Sequence, residues 1–196
     1  MKTSSFVALI GSLAMNGVNA FHQPAVAEQV ATIAQNITLT STEYIAAAKQ
    51  KYGKGDYEGS LANYNRAIQI DPNHAIIYYN RGSLKHIDFH DTQGALADYN
   101  RAIQLAPKFA DVYYNRGSLK AEKLQDIQGA LADYNRAIQL AHRLANAYFN
   151  RGLIKYDLLD DRSGGITDLQ QAAKLFKQQG NPNNYQSTID RLKKWQ

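Results

Sequence analysis

Apolar and small positions in residues 110–144 fall into two runs of helical spacing, each marking one face of a helix. Tyr113, Gly117, Lys120 and Leu124 share a face in the first run; Ala130, Tyr134, Ala137 and Leu140 share one in the second. Asp126 stands between them, where a helix N-cap belongs. The small residues Gly117, Ala130 and Ala137 let two backbones approach, and the tyrosines fill the space beside them. The predicted element is a helical hairpin with one tight contact line. A lone hairpin of this kind leaves an apolar flank open, so it must stack on copies of itself.

Copies are present. QGALADYNRAIQLA occurs at 93–106 and again at 128–141, and YYNRGSLK at 78–85 and 113–120, a period of 35 residues that marks a stacked repeat architecture. Aligned on the glycine of the first helix and the alanine of the second, the chain holds four units: 41–74, 75–109, 110–144 and 145–179. The first has Tyr44, Ala48, Ser60, Ala67 and Pro72 in the key slots, and the second has Tyr78, Gly82, Ala95, Tyr99, Ala102 and Pro107. In the third, His142 replaces the closing proline. The fourth keeps Tyr148, Gly152 and Ala172 but has Gly165 and Leu169 where alanine and tyrosine are expected. Units two to four carry one extra residue before Asp91, Asp126 and Asp161, which predicts a longer turn inside those hairpins.

This pattern resembles the tetratricopeptide repeat (TPR), and the resemblance covers residues 41 to about 179. It implies an all-α fold: a right-handed α-α superhelix, or TPR solenoid, of four helical hairpins. Gly180-Asn181-Pro182 then breaks the chain. Tyr185, Ile189, Leu192 and Trp195 follow on one helical face, with Asp190, Arg191, Lys193 and Lys194 on the other. Residues 183–196 are therefore expected as a C-terminal capping helix, polar outside, with Trp195 as a packing anchor.

At the other end Lys2 precedes an uncharged apolar run, Phe6 to Met15, and small-residue cleavage sites follow it. The pattern predicts a secretory signal peptide over 1–27, cut after Ala27 or alternatively after Ala20. It thereby predicts an extracytoplasmic protein, in a periplasm or lumen or secreted. A run this short does not span a membrane, which needs about 20 apolar residues. Residues 28–40 form a lead in which Val30, Ile33 and Ile37 make a short amphipathic turn over the first hairpin. This lead resembles that of secreted bacterial trypsin-like proteases carrying TPR arrays, which implies a partner lineage rather than an activity.

Composition changes the picture little: 196 residues, 44% apolar and 20% charged, suit one elongated domain. The absence of cysteine excludes disulfides and thiolate chemistry. The net charge of +5 is a mild excess, spread through the repeats as Arg66, Arg101 and Arg136, and reads as a solvated face rather than a nucleic-acid surface. There is no nucleophile–base pair, phosphate loop or strong metal spacing, so no enzyme and no cofactor is predicted. His86 and His90 lie four apart, but the repeat brings no third ligand near and surface histidines are expected there.

Candidate binding chemistry lies on the first helices, which in the TPR family line the concave face where extended peptides bind. Two residues before the glycine stand Asn80, Asn115 and Asn150; three before it stand Tyr79, Tyr114 and Phe149. An asparagine amide both donates and accepts, so it can pair with a peptide backbone whatever the side chains are. Packed helices sit about 8–10 Å apart and three extended residues span about 10 Å, so one asparagine meets every third peptide unit. The family's two-carboxylate clamp for acidic tails is not expected, because its positions hold Ile45, Lys49, Asn80, Asp111 and Asn115. One before the glycine stand Arg81, Arg116 and Arg151, and one before the second-helix aromatic slot stand Asp98, Asp133 and Asp168. Unit one loses both, with Ala47 and Asn63. Each arginine is therefore expected within about 4 Å of the aspartate of its own hairpin.

The resulting expectation is a non-catalytic protein–protein interaction module that binds an extended peptide segment of a partner in the concave groove. The alternatives are an oligomeric assembly scaffold and an accessory subunit of a secreted protease-type partner. Partners are expected to be protein or peptide, with no nucleic acid and no stable membrane insertion, and homo-oligomerisation stays open.

Overall fold

The computed structural model describes residues 39–195. The expected signal segment and the lead up to residue 38 lie outside the described residues. Among the described residues the chain is all-α, with nine helices and no strand. Four hairpins follow one another: α1 (Ser41–Gly53) with α2 (Tyr57–Ile70), α3 (Ala75–Ile87) with α4 (Thr92–Leu105), α5 (Ala110–Lys123) with α6 (Ile127–Leu140), and α7 (Ala145–Leu159) with α8 (Arg162–Gln178). A ninth helix, α9 (Pro182–Lys194), closes the series.

Helix ends follow from local chemistry. Asp56, Asp91, Asp126 and Asp161 cap α2, α4, α6 and α8, each accepting the backbone N–H of the glycine three residues on, at 2.8–3.0 Å. The residue before each cap has left-handed backbone: Gly55 in the first unit, then His90, Gln125 and Asp160 with φ of 53–54°. In unit one the Asp56 N–H bonds the Lys51 carbonyl and the Gly55 N–H bonds that of Tyr52, the two bonds of a Schellman ending. In the later units the long bond spans six residues, Asp91 to Lys85, Asp126 to Lys120 and Asp161 to Lys155. The extra residue counted in the sequence is thus absorbed in a turn one residue wider. The last helix starts at Pro182, one residue earlier than the spacing predicts. Proline's fixed φ suits the first helical turn, and Asn181 caps it by accepting from the Asn184 N–H at 3.2 Å.

The core is strung along the stack, one cluster per junction. Ile45, Ala48, Tyr64 and Ala67 of unit one pack with Ile77 and Leu84 of unit two. Ala95, Tyr99 and Ala102 pack with Val112 and Leu119, Ala130, Tyr134 and Ala137 with Ala147 and Ile154, and Ala145, Ala172 and Phe176 sit under the partly buried Tyr185 of α9. Each helix packs chiefly on its neighbours in sequence, and α3 also meets α5. This is the nearest-neighbour order of a superhelical solenoid. Fully burying a tyrosine such as Tyr99 or Tyr134, both at most 1% exposed, contributes about 2–3 kcal/mol per junction.

Candidate functional site

The first helices α3, α5 and α7 carry the sequence-predicted ladders, and the stack orients them. Tyr79, Tyr114 and Phe149 are half-buried: each ring rests on aromatics of a second helix or loop, Tyr79 on Phe109 at 4.9 Å, Tyr114 on Tyr134 at 6.0 Å and Phe149 on Phe176 at 6.5 Å. The aromatic ladder is therefore the roof of the core as well as a surface. Burial pushes the Tyr79 and Tyr114 phenols up, and nearby Asp111 adds to the shift at Tyr79.

The amides are not equivalent. Asn115 Nδ2 donates to the Tyr79 hydroxyl and to Ser83 Oγ of the preceding unit, both at 3.3 Å. Asn150 Nδ2 donates to Ser118 Oγ and to the Tyr134 hydroxyl, both at 3.4 Å. Asn80 Nδ2 is buried with no partner: unit one has Ile45 and Lys49 in the slots from which Tyr79 and Ser83 of unit two hold Asn115, and Lys49 also stands in the slot of Ser118, which holds Asn150. Two of the three donors are thus used inside the stack, which leaves the Oδ1 acceptors of Asn115 and Asn150 for a ligand. The partner hydroxyls Ser83 and Ser118 escape a reading of the sequence by function. The signal that marks them is their recurrence one residue after the glycine, with Leu153 breaking the series in unit four.

Two pockets open along this face. One, of about 350 Å³, lies between α3 and α5; Tyr114, Asn115 and Ser118 form one wall, and His86 and Ile87 the other. His86 Nε2 stands 3.9 Å from Glu122 Oε2, and burial holds its pKa below the usual histidine value. The second, of about 220 Å³, lies where α7 and α8 meet α9, with Phe149 and Asn150 in its wall. Among the described residues no group of three or more histidine, aspartate or glutamate side chains is placed to hold a metal. No described helix is long and apolar enough to cross a membrane.

Behind this face lies a charged layer. Arg81 donates through Nε to Asp98 Oδ2 at 2.9 Å and through Nη2 to Oδ1 at 2.6 Å; Arg116 and Arg151 grip Asp133 and Asp168 in the same way. Each carboxylate also takes a lysine from the same first helix: Lys85, Lys120 or Lys155 at 2.9–3.0 Å. The remaining guanidinium nitrogen donates at 2.7 Å to Asn65, Asn100 or Asn135 on the second helix of the preceding unit. The lysines and asparagines recur with the period and were open to the same reasoning as the arginines. The aspartate side chains are 5% exposed, so these are core connectors between helices and between units.

Family models match residues 48–86 and 91–123 as "TPR repeat" and residues 110–142 as "Tetratricopeptide repeat". Among solved structures, that of MamA is 21% identical, with 79% of this chain and 91% of that chain covered and a TM-score of 0.61. The first TPR of Spaghetti (RPAP3), bound to the HSP90 peptide SRMEEVD, is 22% identical, covering 61% and 94% with a TM-score of 0.58. YrrB, described as a TPR protein with an unusual peptide-binding site, is 20% identical, covering 78% and 84% with a TM-score of 0.56. Among curated protein sequences none matches the chain.

Proposed function

We propose that this chain, which carries tetratricopeptide repeats, is a non-catalytic interaction module that binds an extended segment of another protein along α3, α5 and α7. The observation that carries the reading is the pairing, at two successive junctions, of an immobilised amide with an aromatic ring on a pocket wall: Asn115 with Tyr114, and Asn150 with Phe149. Two hydroxyls hold each Nδ2, so the Oδ1 acceptor is fixed before any ligand arrives, and little side-chain entropy remains to be lost on binding. A fixed acceptor beside an aromatic surface suits a peptide N–H flanked by an apolar or aromatic side chain.

Charge narrows the partner. Asp111 is exposed and Glu122 lines the larger pocket, and Lys49 and Lys123 are too few and too far apart along the face to grip an acidic tail. The RPAP3 repeat is bound to an acidic peptide and YrrB is described as having a peptide-binding site. Those relatives support a peptide ligand, and the residues here favour a neutral or aromatic one. The apolar run and the small-residue cleavage sites within residues 1–27 support, in this reading, a location outside the cytoplasm.

The test is selection from a displayed library of random unstructured peptides, by the wild type and by an Asn80→Ala, Asn115→Ala, Asn150→Ala variant whose fold is checked by its helical melt. The wild type enriches peptides and the folded variant loses at least tenfold of that enrichment. Equal enrichment by both removes the amide ladder from the function.

A further inference from the structure

The pocket at the end of the stack is built differently from the others. At the earlier junctions the amide meets hydroxyls of a repeat, whereas unit four has Leu153 and Leu169 in the matching slots, and the wall comes from α9, which has no copy elsewhere in the chain. Its sides are the rings of Phe149 and Phe176, set edge-to-face at 65°. The α9 wall carries Thr188, fully buried, whose hydroxyl donates to the Asn184 carbonyl at 2.6 Å and so presents only lone pairs. The rim is the exposed Asn146, Asn184 and Ser187, and among the described residues no ionisable group lines the space.

Size and polarity select an occupant. A cavity of about 150 Å³ holds one benzene ring, and drug-sized ligands need about 300 Å³ or more. A pocket of about 220 Å³ takes one ring-sized side chain. A charged side chain there would give up part of its hydration against the two phenylalanine rings and find no counter-ion among the lining residues, so it is disfavoured. We propose that the pocket between α7, α8 and α9 is a specificity subsite for a single uncharged aromatic side chain of the bound segment. The inference rests on the groove reading above: Asn150 fixes the backbone beside the ring, and α9 selects the ring.

The experiment uses the full chain and a small probe, N-acetyl-L-phenylalanine amide, followed by the NMR shifts of Thr188 and Ser187. With about fifteen non-hydrogen atoms at the efficiency of drug-sized ligands, the dissociation constant falls on the order of a millimolar. Saturable shifts are expected, at least tenfold weaker with N-acetyl-L-glutamate amide and at least tenfold weaker in Ser187→Trp, which fills the pocket from its exposed rim. Should that variant lose its helical melt, Asn146→Trp fills the pocket from the α7 side. No saturable shift, equal binding of the acidic probe, or binding indifferent to the blocking variant overturns the subsite. Failure of the groove reading is separable: the probe then still saturates at Thr188 while peptide enrichment ignores the asparagine substitutions.

Discussion

Gln125 has a left-handed backbone, with φ of 53°, in a position that Gly55 fills in unit one. A side chain there crowds its own carbonyl at a cost of roughly 1–2 kcal/mol, partly offset because glycine makes the unfolded chain floppier. Gln125→Gly is therefore expected to raise stability by up to about 1 kcal/mol, read as a shift in urea midpoint. The asparagines divide on the same scale. Asn115→Ala removes a donor with two partners and is expected to cost about 1 kcal/mol, whereas Asn80→Ala removes a buried unpaired donor and is expected to be neutral or stabilising. Lys49→Ser places a hydroxyl in the slot that Ser83 occupies one unit later, and should stabilise Asn80 by about 1 kcal/mol. Equal melting temperatures for the two alanine variants would show the amides to be alike. The sequence presents them as alike because Asn115's partners lie 32 and 36 residues away, across a junction that only stacking creates.

At the scale of the helix pair, the aspartate on the second helix of units two, three and four binds an arginine and a lysine at once. Asp133→Ala would leave Arg116 and Lys120 partly buried without their carboxylate, at an expected cost of about 3–5 kcal/mol, and Asp133→Asn a smaller one. Chemical denaturation of the two variants checks the order. The fourth hairpin explains its own departures. A Cβ on Gly165 would stand 2.8 Å from the Gly152 carbonyl and 3.0 Å from the Tyr156 nitrogen, both backbone atoms that cannot swing away. The helices there approach too closely for alanine, and Leu169 fills the slot of the missing tyrosine at 0% exposure. Gly165→Ala is expected to destabilise by about 1–3 kcal/mol, seen as a lower melting temperature. The helical spacing and the capping aspartates were legible because they are local. The lysine and asparagine partners of the arginines recur with the same period and were legible in the same way, whereas the reach of each guanidinium across to the second helix of the preceding unit is set by the stacking of the hairpins.

Across the whole stack, tyrosines set the response to alkali. Burial pushes the Tyr99 phenol up to about 12 and raises those of Tyr64, Tyr79, Tyr114 and Tyr134. In the unfolded chain these phenols ionise near pH 10. For Tyr99, from there to about pH 12 the native state binds more protons, so its contribution is complete below pH 10 and falls as pH rises by about 1.4 kcal/mol per pH unit, and the other four phenols act in the same direction. Denaturant midpoints taken at intervals above pH 9 should trace that fall, and Tyr99→Phe should make it shallower. The period, the hydrophobic faces and the caps were enough to specify a four-hairpin helical stack closed by a further helix, since each hairpin buries its flank only against the next. They were not enough to show which polar atoms remain for a ligand. Asn80, Asn115 and Asn150 occupy one slot and differ only in what the preceding unit sets against them. The pocket walled by α9 was likewise beyond the sequence: a repeat predicts its own copies, and this helix is none of them, so its place against Phe149 and Phe176 is decided by the packing of the finished stack.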